Sequence, residues 1–115
     1  MPPEILQHLS DILQSIQDIH SYFPDGYQFA EYQSNKMLRR AVERELEIIG
    51  EAMNRAMKLK PDLEIPEAKR VIGLRNRVIH AYDSVDDVLV WAVLVNHLVP
   101  LQKKVEDLIY SGGTN

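Results

Sequence analysis

Apolar residues recur at three- and four-residue steps along nearly the whole chain, and that period commits the backbone to helices. In the first segment Ile5, Leu9, Ile12, Ile16, Ile19 and Phe23 form one stripe, widened by Leu6 and Leu13 and ended by Pro24-Asp25-Gly26. Tyr27 to Tyr32 reads as a short helical turn leading to Ser34-Asn35, an N-cap for the next helix. From Lys36 to about Lys60 a long helix follows. It has Met37, Ala41, Ile48, Ala52 and Ala56 near one side and Leu38, Val42, Leu46, Ile49 and Met53 beside them. So broad an apolar arc suits packing against more than one neighbour. Gly50 lies mid-helix, where glycine costs about 1 kcal/mol relative to alanine, and close approach of another helix backbone would explain it. Pro61 and Pro66 bracket a loop, after which a helix is expected over Glu67 to about Ala81 and a last one from about Val85 to Tyr110. Ser84 with Asp87 resembles a capping box, and Pro100 is expected to bend or split the last helix. There is no strand alternation and no internal repeat, so the reading is an all-α bundle: one domain over residues 1–110 and a frayed tail over 111–115.

The totals narrow the function classes. Hydrophobic residues make 45% and charged residues 26%, the mixture of a soluble folded chain. The absence of cysteine excludes disulfides and thiolate metal sites. The polar N-terminus has no basic region of a signal peptide, and the apolar run from Val88 to Leu101 is interrupted by Asn96, His97 and Pro100. A cytoplasmic location is expected. The net charge is −4, yet residues 36–77 hold eleven of the thirteen basic residues and only seven of the seventeen acidic ones. A mildly basic middle can attract a phosphate chain. Part of that charge is expected in helical pairs, Arg39 with Glu43 and Glu51 with Arg55.

The segment from Val71 to Tyr82 is the unusual one. Val71, Ile72, Leu74, Val78 and Ile79 surround much of its circumference, so the helix should be largely enclosed, yet Arg75, Asn76, Arg77, His80 and Tyr82 are interleaved with them. Buried charges and amides are costly unless paired. At about 100° per residue, Asn76 and His80 share a face at roughly 100° and 140° from Arg75, while Tyr82 lies at about −20°. The side chains thus form two adjacent stripes, which two copies packed about a twofold axis would unite in one cleft. The group types suit phosphoryl transfer without metal. A neutral imidazole can take a proton from a ribose 2′-hydroxyl, and arginine can stabilise the charge of the transition state. The alternative is structural: Arg75 paired with Glu47 or Glu51 of the long helix, and His80 satisfied in the core. His8, His20 and His97 lack ligand spacing for zinc and are read as surface or core-edge residues, and Trp91 as core.

Arg75, four residues, His80, one residue and Tyr82 resemble the R-x4-H-x-Y motif of HepT-type toxins in the HEPN superfamily of ribonucleases. Leu46-Glu47-Ile48-Ile49-Gly50-Glu51-Ala52, Ile72-Gly73-Leu74 and Val85-Asp86 with Val90-Trp91 extend the similarity over about Leu9 to Leu108. The resemblance implies a four- or five-helix, up-and-down HEPN bundle that dimerises with both motifs in one cleft. It implies a metal-independent RNA endonuclease without cofactor, in which Arg75 and His80 are catalytic and Asn76 assists. It also implies a type VII-like toxin–antitoxin pair, whose nucleotidyltransferase antitoxin transfers AMP to Tyr82. The added phosphate would block by bulk and repulsion a cleft meant for RNA. Two positions depart from many relatives: Asp83 replaces an aromatic residue, and Ala68-Lys69 replace a tryptophan. Asp83 and the acidic total motivate an alternative, a HEPN subunit that does not cleave and serves as scaffold for the nucleotidyltransferase.

Overall fold

A computed structural model describes residues 1–79 and 86–111, with Val78 and Ile79 as helix backbone. Among these residues six helices follow one another: α1 (Pro3–Ser21), α2 (Phe29–Ser34), α3 (Lys36–Leu59), α4 (Ala68–Ile79), α5 (Asp87–Asn96) and α6 (Leu98–Ser111). No strand is present among them. The bundle expected from periodicity is therefore the architecture found. Its helix number exceeds four or five because the short turn before Asn35 is a helix and the last helix is divided. Residues 112–115 of the expected tail lie outside the described residues.

Each boundary has a local cause. Prolines 2 and 3 open α1, where a missing backbone donor is tolerated, and Gly26 at φ 93° turns the chain beyond its end. Asn35 caps α3 as its position suggests, its side-chain oxygen accepting from the Leu38 N–H at 3.1 Å. The cap of α5 is Asp86, which accepts from the backbone of Val88 and Leu89 at 2.9 and 3.3 Å. Ser84, expected in that role, lies outside the described residues. The division between α5 and α6 falls at His97, three residues before the expected point, with a bend of 48°. Pro100 sits in the first turn of α6, where it need not donate, so it sets where the second helix starts rather than kinking one helix midway. Neither α5, α6 nor any other single described helix is long and apolar enough to cross a membrane.

Helix α3 is the spine, packing on α1 along one side and on α4 along the other, with α6 beside α1. Leu9, Ile12, Ile16 and Ile19 of α1 meet Val42, Leu46, Ile49 and Met53 of α3 and Leu98, Leu101 and Val105 of α6 in one buried core. Of the two apolar rows read on α3, the row from Val42 to Met53 enters the core with Ala52 and Ala56, whereas Met37 is 84% exposed and Ile48 only half-buried. Trp91 is a hub at the core's edge, edge-on to Phe23, Tyr27 and Phe29 and tilted against Tyr32. Beside it His20 joins Tyr27 at 2.5 Å and Gln102 at 2.9 Å, tying α1 to α6. That makes His20 the core-edge residue expected. The ion pairs depart in part: Glu51 does meet Arg55, but Glu43 takes Arg40 at 3.3 Å, and Arg39 reaches the Gln33 carbonyl and Asp87 instead.

The expectation that α4 is largely enclosed needs correction. Ala68, Val71 and Leu74 are buried against α3, while Lys69, Arg70, Gly73, Asn76 and Arg77 are exposed. Apolar residues around a helix signal surfaces to be covered, and in a single chain this helix covers only one of them. Its approach to α3 is close at one point. A Cβ added to Gly50 would lie 2.4 Å from Arg75 Cβ, 2.8 Å from Arg75 Cγ and 3.4 Å from the Val71 carbonyl oxygen. At Gly73 an added Cβ would meet nothing within 4 Å.

These two glycines of helical segments should therefore respond oppositely to the same substitution. Gly73→Ala gains helix propensity without a clash and should raise unfolding free energy by about 0.5–1 kcal/mol. Gly50→Ala must push α4 away and should lower it by about 1–3 kcal/mol despite the same propensity gain. Urea denaturation of the two variants checks the signs.

Candidate active site

Gly50 lets Arg75 rise directly over α3, and the next residue of α3, Glu51, receives it. Arg75 Nη2 donates to Glu51 Oε2, and Arg75 Nη1 donates to Asn76 Oδ1 at 2.8 Å. The other Glu51 oxygen accepts from Arg55 Nε at 3.0 Å. One carboxylate therefore holds two guanidiniums, one from its own helix and one from α4. The Arg75 side chain is 25% exposed, so it is anchored at its stem while its head reaches a cleft. The neighbouring pair, Arg44 with Glu47 at 3.1 Å, extends the charged row one turn earlier.

Of the two carboxylates the sequence offered for Arg75, the structure selects Glu51; Glu47 is engaged by Arg44. The pairing does not exhaust Arg75. A guanidinium carries five N–H donors, and among the described residues Nε–H and one N–H on each terminal nitrogen have no acceptor, so they are open to an anion. Asn76 touches Arg75 directly and is exposed, a placement that steadies the guanidinium. His80 and Tyr82 lie outside the described residues.

Arg75 stands on the wall of a cleft of about 390 Å³ between α1 and α3. Its other lining side chains include His8 and Asp11 from α1 and Arg44, Ile48 and Arg55 from α3. Sequence reasoning read His8 as a surface or core-edge residue, which its half-buried position fits, and did not connect it with Arg75. The available signal was its spacing: His8 and Asp11 are three apart and flank the buried Ile5-Leu9-Ile12 stripe, so both project along the α3 side. Across α4 a second groove, of about 270 Å³, runs between that helix and α5, with Lys69, Arg70 and Arg77 on one bank and Leu89 and Ala92 on the other. His97 closes its end through a 2.7 Å bond from Nδ1 to Glu67, the residue just before α4. Among the described residues no three histidine or acidic side chains converge as a metal site would require.

The family model described as ribonuclease HepT-like matches residues 12–108, a span that includes Gly50, Arg75 and Asn76. The chain belongs to the HepT-like ribonuclease family. This HEPN relative is 36% identical over 105 residues to a ribonuclease candidate of Methanocaldococcus jannaschii, covering 90% of this chain and 94% of that one. It is 33% identical over 105 residues to a probable ribonuclease HepT of Thermococcus cleftensis, covering 88% and 92%. A ribonuclease candidate of Caldanaerobacter subterraneus is 30% identical over 86 residues, covering 73% and 76%. No solved structure matches this chain.

The Glu51–Arg75 contact is half-buried and should be worth about 1 kcal/mol, at the upper end for an ion pair open to solvent. A double-mutant cycle of Glu51→Ala and Arg75→Ala, read by chemical denaturation, should return a coupling of that size. Strict additivity would mean that Glu51 does not hold Arg75 in solution.

Proposed function

We propose that this chain is the toxin of a type VII-like toxin–antitoxin pair, a metal-independent RNA endonuclease that works as a homodimer. The observation that carries the reading is the Arg75 guanidinium, fixed by Glu51 and Asn76 with donors left over at the mouth of a cleft. In the reaction His80 takes the proton of a ribose 2′-hydroxyl, and the oxygen attacks the adjacent phosphorus. Arg75 stabilises the extra negative charge on the five-coordinate phosphorus, and Asn76 keeps the guanidinium in place. The bond to the 5′-oxygen breaks, giving a 2′,3′-cyclic phosphate and, on protonation, a 5′-hydroxyl.

Two features support a homodimer. Helix α4 packs on α3 but leaves its opposite face, with Gly73, open. Helix α5 is apolar around its whole circumference, leaving Val88 and Val95 exposed, and Val99 of α6 is exposed as well. Covering these faces with a second copy would bring the two motif helices together and join the two stripes of polar residues. Lys69, Arg70 and Arg77, which line one groove with Gly73, would then border the cleft between the two copies, and their lack of a carboxylate partner among the described residues supports an RNA substrate there. Regulation follows from the position of Tyr82, two residues beyond His80. A nucleotidyltransferase antitoxin that joins AMP to its hydroxyl would set a phosphate where the RNA phosphate must lie.

Replacing either catalytic group should lower cleavage of single-stranded RNA by about 10²–10³-fold or more, with the helical circular dichroism unchanged, for both Arg75→Ala and His80→Ala. The same variants should cease to arrest growth when expressed alone. Tyr82→Phe should stay toxic but escape the nucleotidyltransferase, and peptide mass spectrometry of the co-expressed wild type should find one adenylate on Tyr82. A wild type that binds the nucleotidyltransferase yet cuts no RNA would replace this reading with the scaffold reading.

A further inference from the structure

The cleft between α1 and α3 is larger than one arginine needs. Its volume of about 390 Å³ lies in the range of pockets that enclose a small ligand, roughly 300–1,000 Å³. Its floor is aliphatic, Ile48 and Ala52, one helical turn apart on α3. Around that floor the walls are polar and nearly balanced in charge, with Arg44, Arg55 and Arg75 against Asp11, Glu47 and Glu51. A track for a polyanion would be basic throughout; this one is not. A balanced wall over an apolar floor suits a flat heterocycle with a polar edge.

The unpaired atoms say which edge. Asp11 Oδ1 accepts from Gln7 at 2.9 Å, and Glu47 Oε2 accepts from Arg44 at 3.1 Å. Neither the second oxygen of Asp11 nor that of Glu47 has a donor among the described residues. The half-buried His8 ring likewise has no hydrogen-bond partner among them. Carboxylate oxygens can only accept, so they favour a base that presents an exocyclic amino group. Arg55 is 62% exposed and shares the Glu51 carboxylate with Arg75, so its outer N–H groups sit one carboxylate away from those of Arg75. That arrangement sets a second group of guanidinium donors beside the first. Single-stranded RNA is read in this way, by stacking on guanidinium planes and bonding to base edges.

We propose that the α1–α3 cleft is a subsite for one nucleotide of the RNA strand beside the phosphate held by Arg75, with Ile48 and Ala52 under the base, Asp11 and Glu47 reading an amino group, and Arg55 on the neighbouring phosphate. The subsite favours the bases that carry an exocyclic amino group, adenine, cytosine and guanine, over uracil. It rests on the ribonuclease reading for its strand, and on the cleft itself for its base.

The test uses the full chain and trinucleotides whose 2′-hydroxyls are methylated, which bind without being cut. With adenine or cytosine at the centre, affinity by calorimetry should exceed that of the uracil version about tenfold, the discrimination of one well-made base contact. The Ile48 methyl and His8 ring signals should shift on binding. Asp11→Ala with Glu47→Ala should level the preference, while Arg55→Ala should weaken all three ligands alike by about tenfold, as loss of a phosphate contact does. Equal affinity for adenine and uracil trinucleotides, or shifts confined to the α4–α5 groove, would overturn the proposal. AMP, CMP and UMP form a further arm: AMP binding as tightly as the trinucleotide would overturn the strand assignment in favour of a free nucleotide. The two readings separate cleanly. If the base preference stands and the wild type cuts no RNA, only the ribonuclease reading falls; if RNA is cut and Ile48 does not respond, only the subsite falls.

Discussion

The contact between Gly50 and Arg75 sets the distance between α3 and α4, and much of the site inherits its geometry from that distance. A side chain at position 50 would occupy the space of the Arg75 stem. With hydrogen there instead, the arginine leaves α4 almost against the α3 backbone, and its head emerges at the level of Glu51 rather than above it. Glycine is a poor helix residue, and α3 tolerates it because twenty-three other residues sustain the helix and its buried row supplies the packing energy.

Glu51 then turns proximity into orientation. Its two oxygens accept from two different arginines, so neither guanidinium is free to swing and neither is fully neutralised. An arginine that catalyses must present N–H groups along fixed directions before substrate arrives, because ordering a long side chain during the reaction would raise the barrier. Asn76 adds a second anchor on the far nitrogen. The cleft that results is held by polar contacts over a small aliphatic floor, and it lies between α1 and α3 beside the hydrophobic core.

Helix identity, the Asn35 cap and the meaning of Gly50 were legible because each depends on neighbours in sequence or on a residue type with one strong physical reason. The apolar circumference of α4 was legible too, but how little of it the chain itself buries was not. A helix wheel registers that a face must be covered without distinguishing a core from a surface that another molecule covers. The break at His97 escaped notice because Pro100 drew attention to itself, although a proline is most comfortable a residue or two inside a new helix. Pair choice was unreadable for a different reason. Arg39 and Arg40 both reach Glu43 by spacing, and only the position of α5, with Asp87 beside Arg39, separates them. Of the motif itself, Arg75 and Asn76 are brought together, while His80 and Tyr82 lie beyond the described residues. His8 became visible only when α1 was laid on α3, since nothing local relates position 8 to position 75.

The shared carboxylate also bears on how such a chain can change over time. Glu51, Arg55 and Arg75 form one electrostatic unit, so replacement of the acid leaves two positive charges without their shared partner, and replacement of either arginine leaves the other uncontested for both oxygens. Substitutions at these three positions should therefore be felt together, since each changes the charge that the other two meet. Position 55, which lies outside the motif and on an exposed turn, should carry an evolutionary record written by position 75.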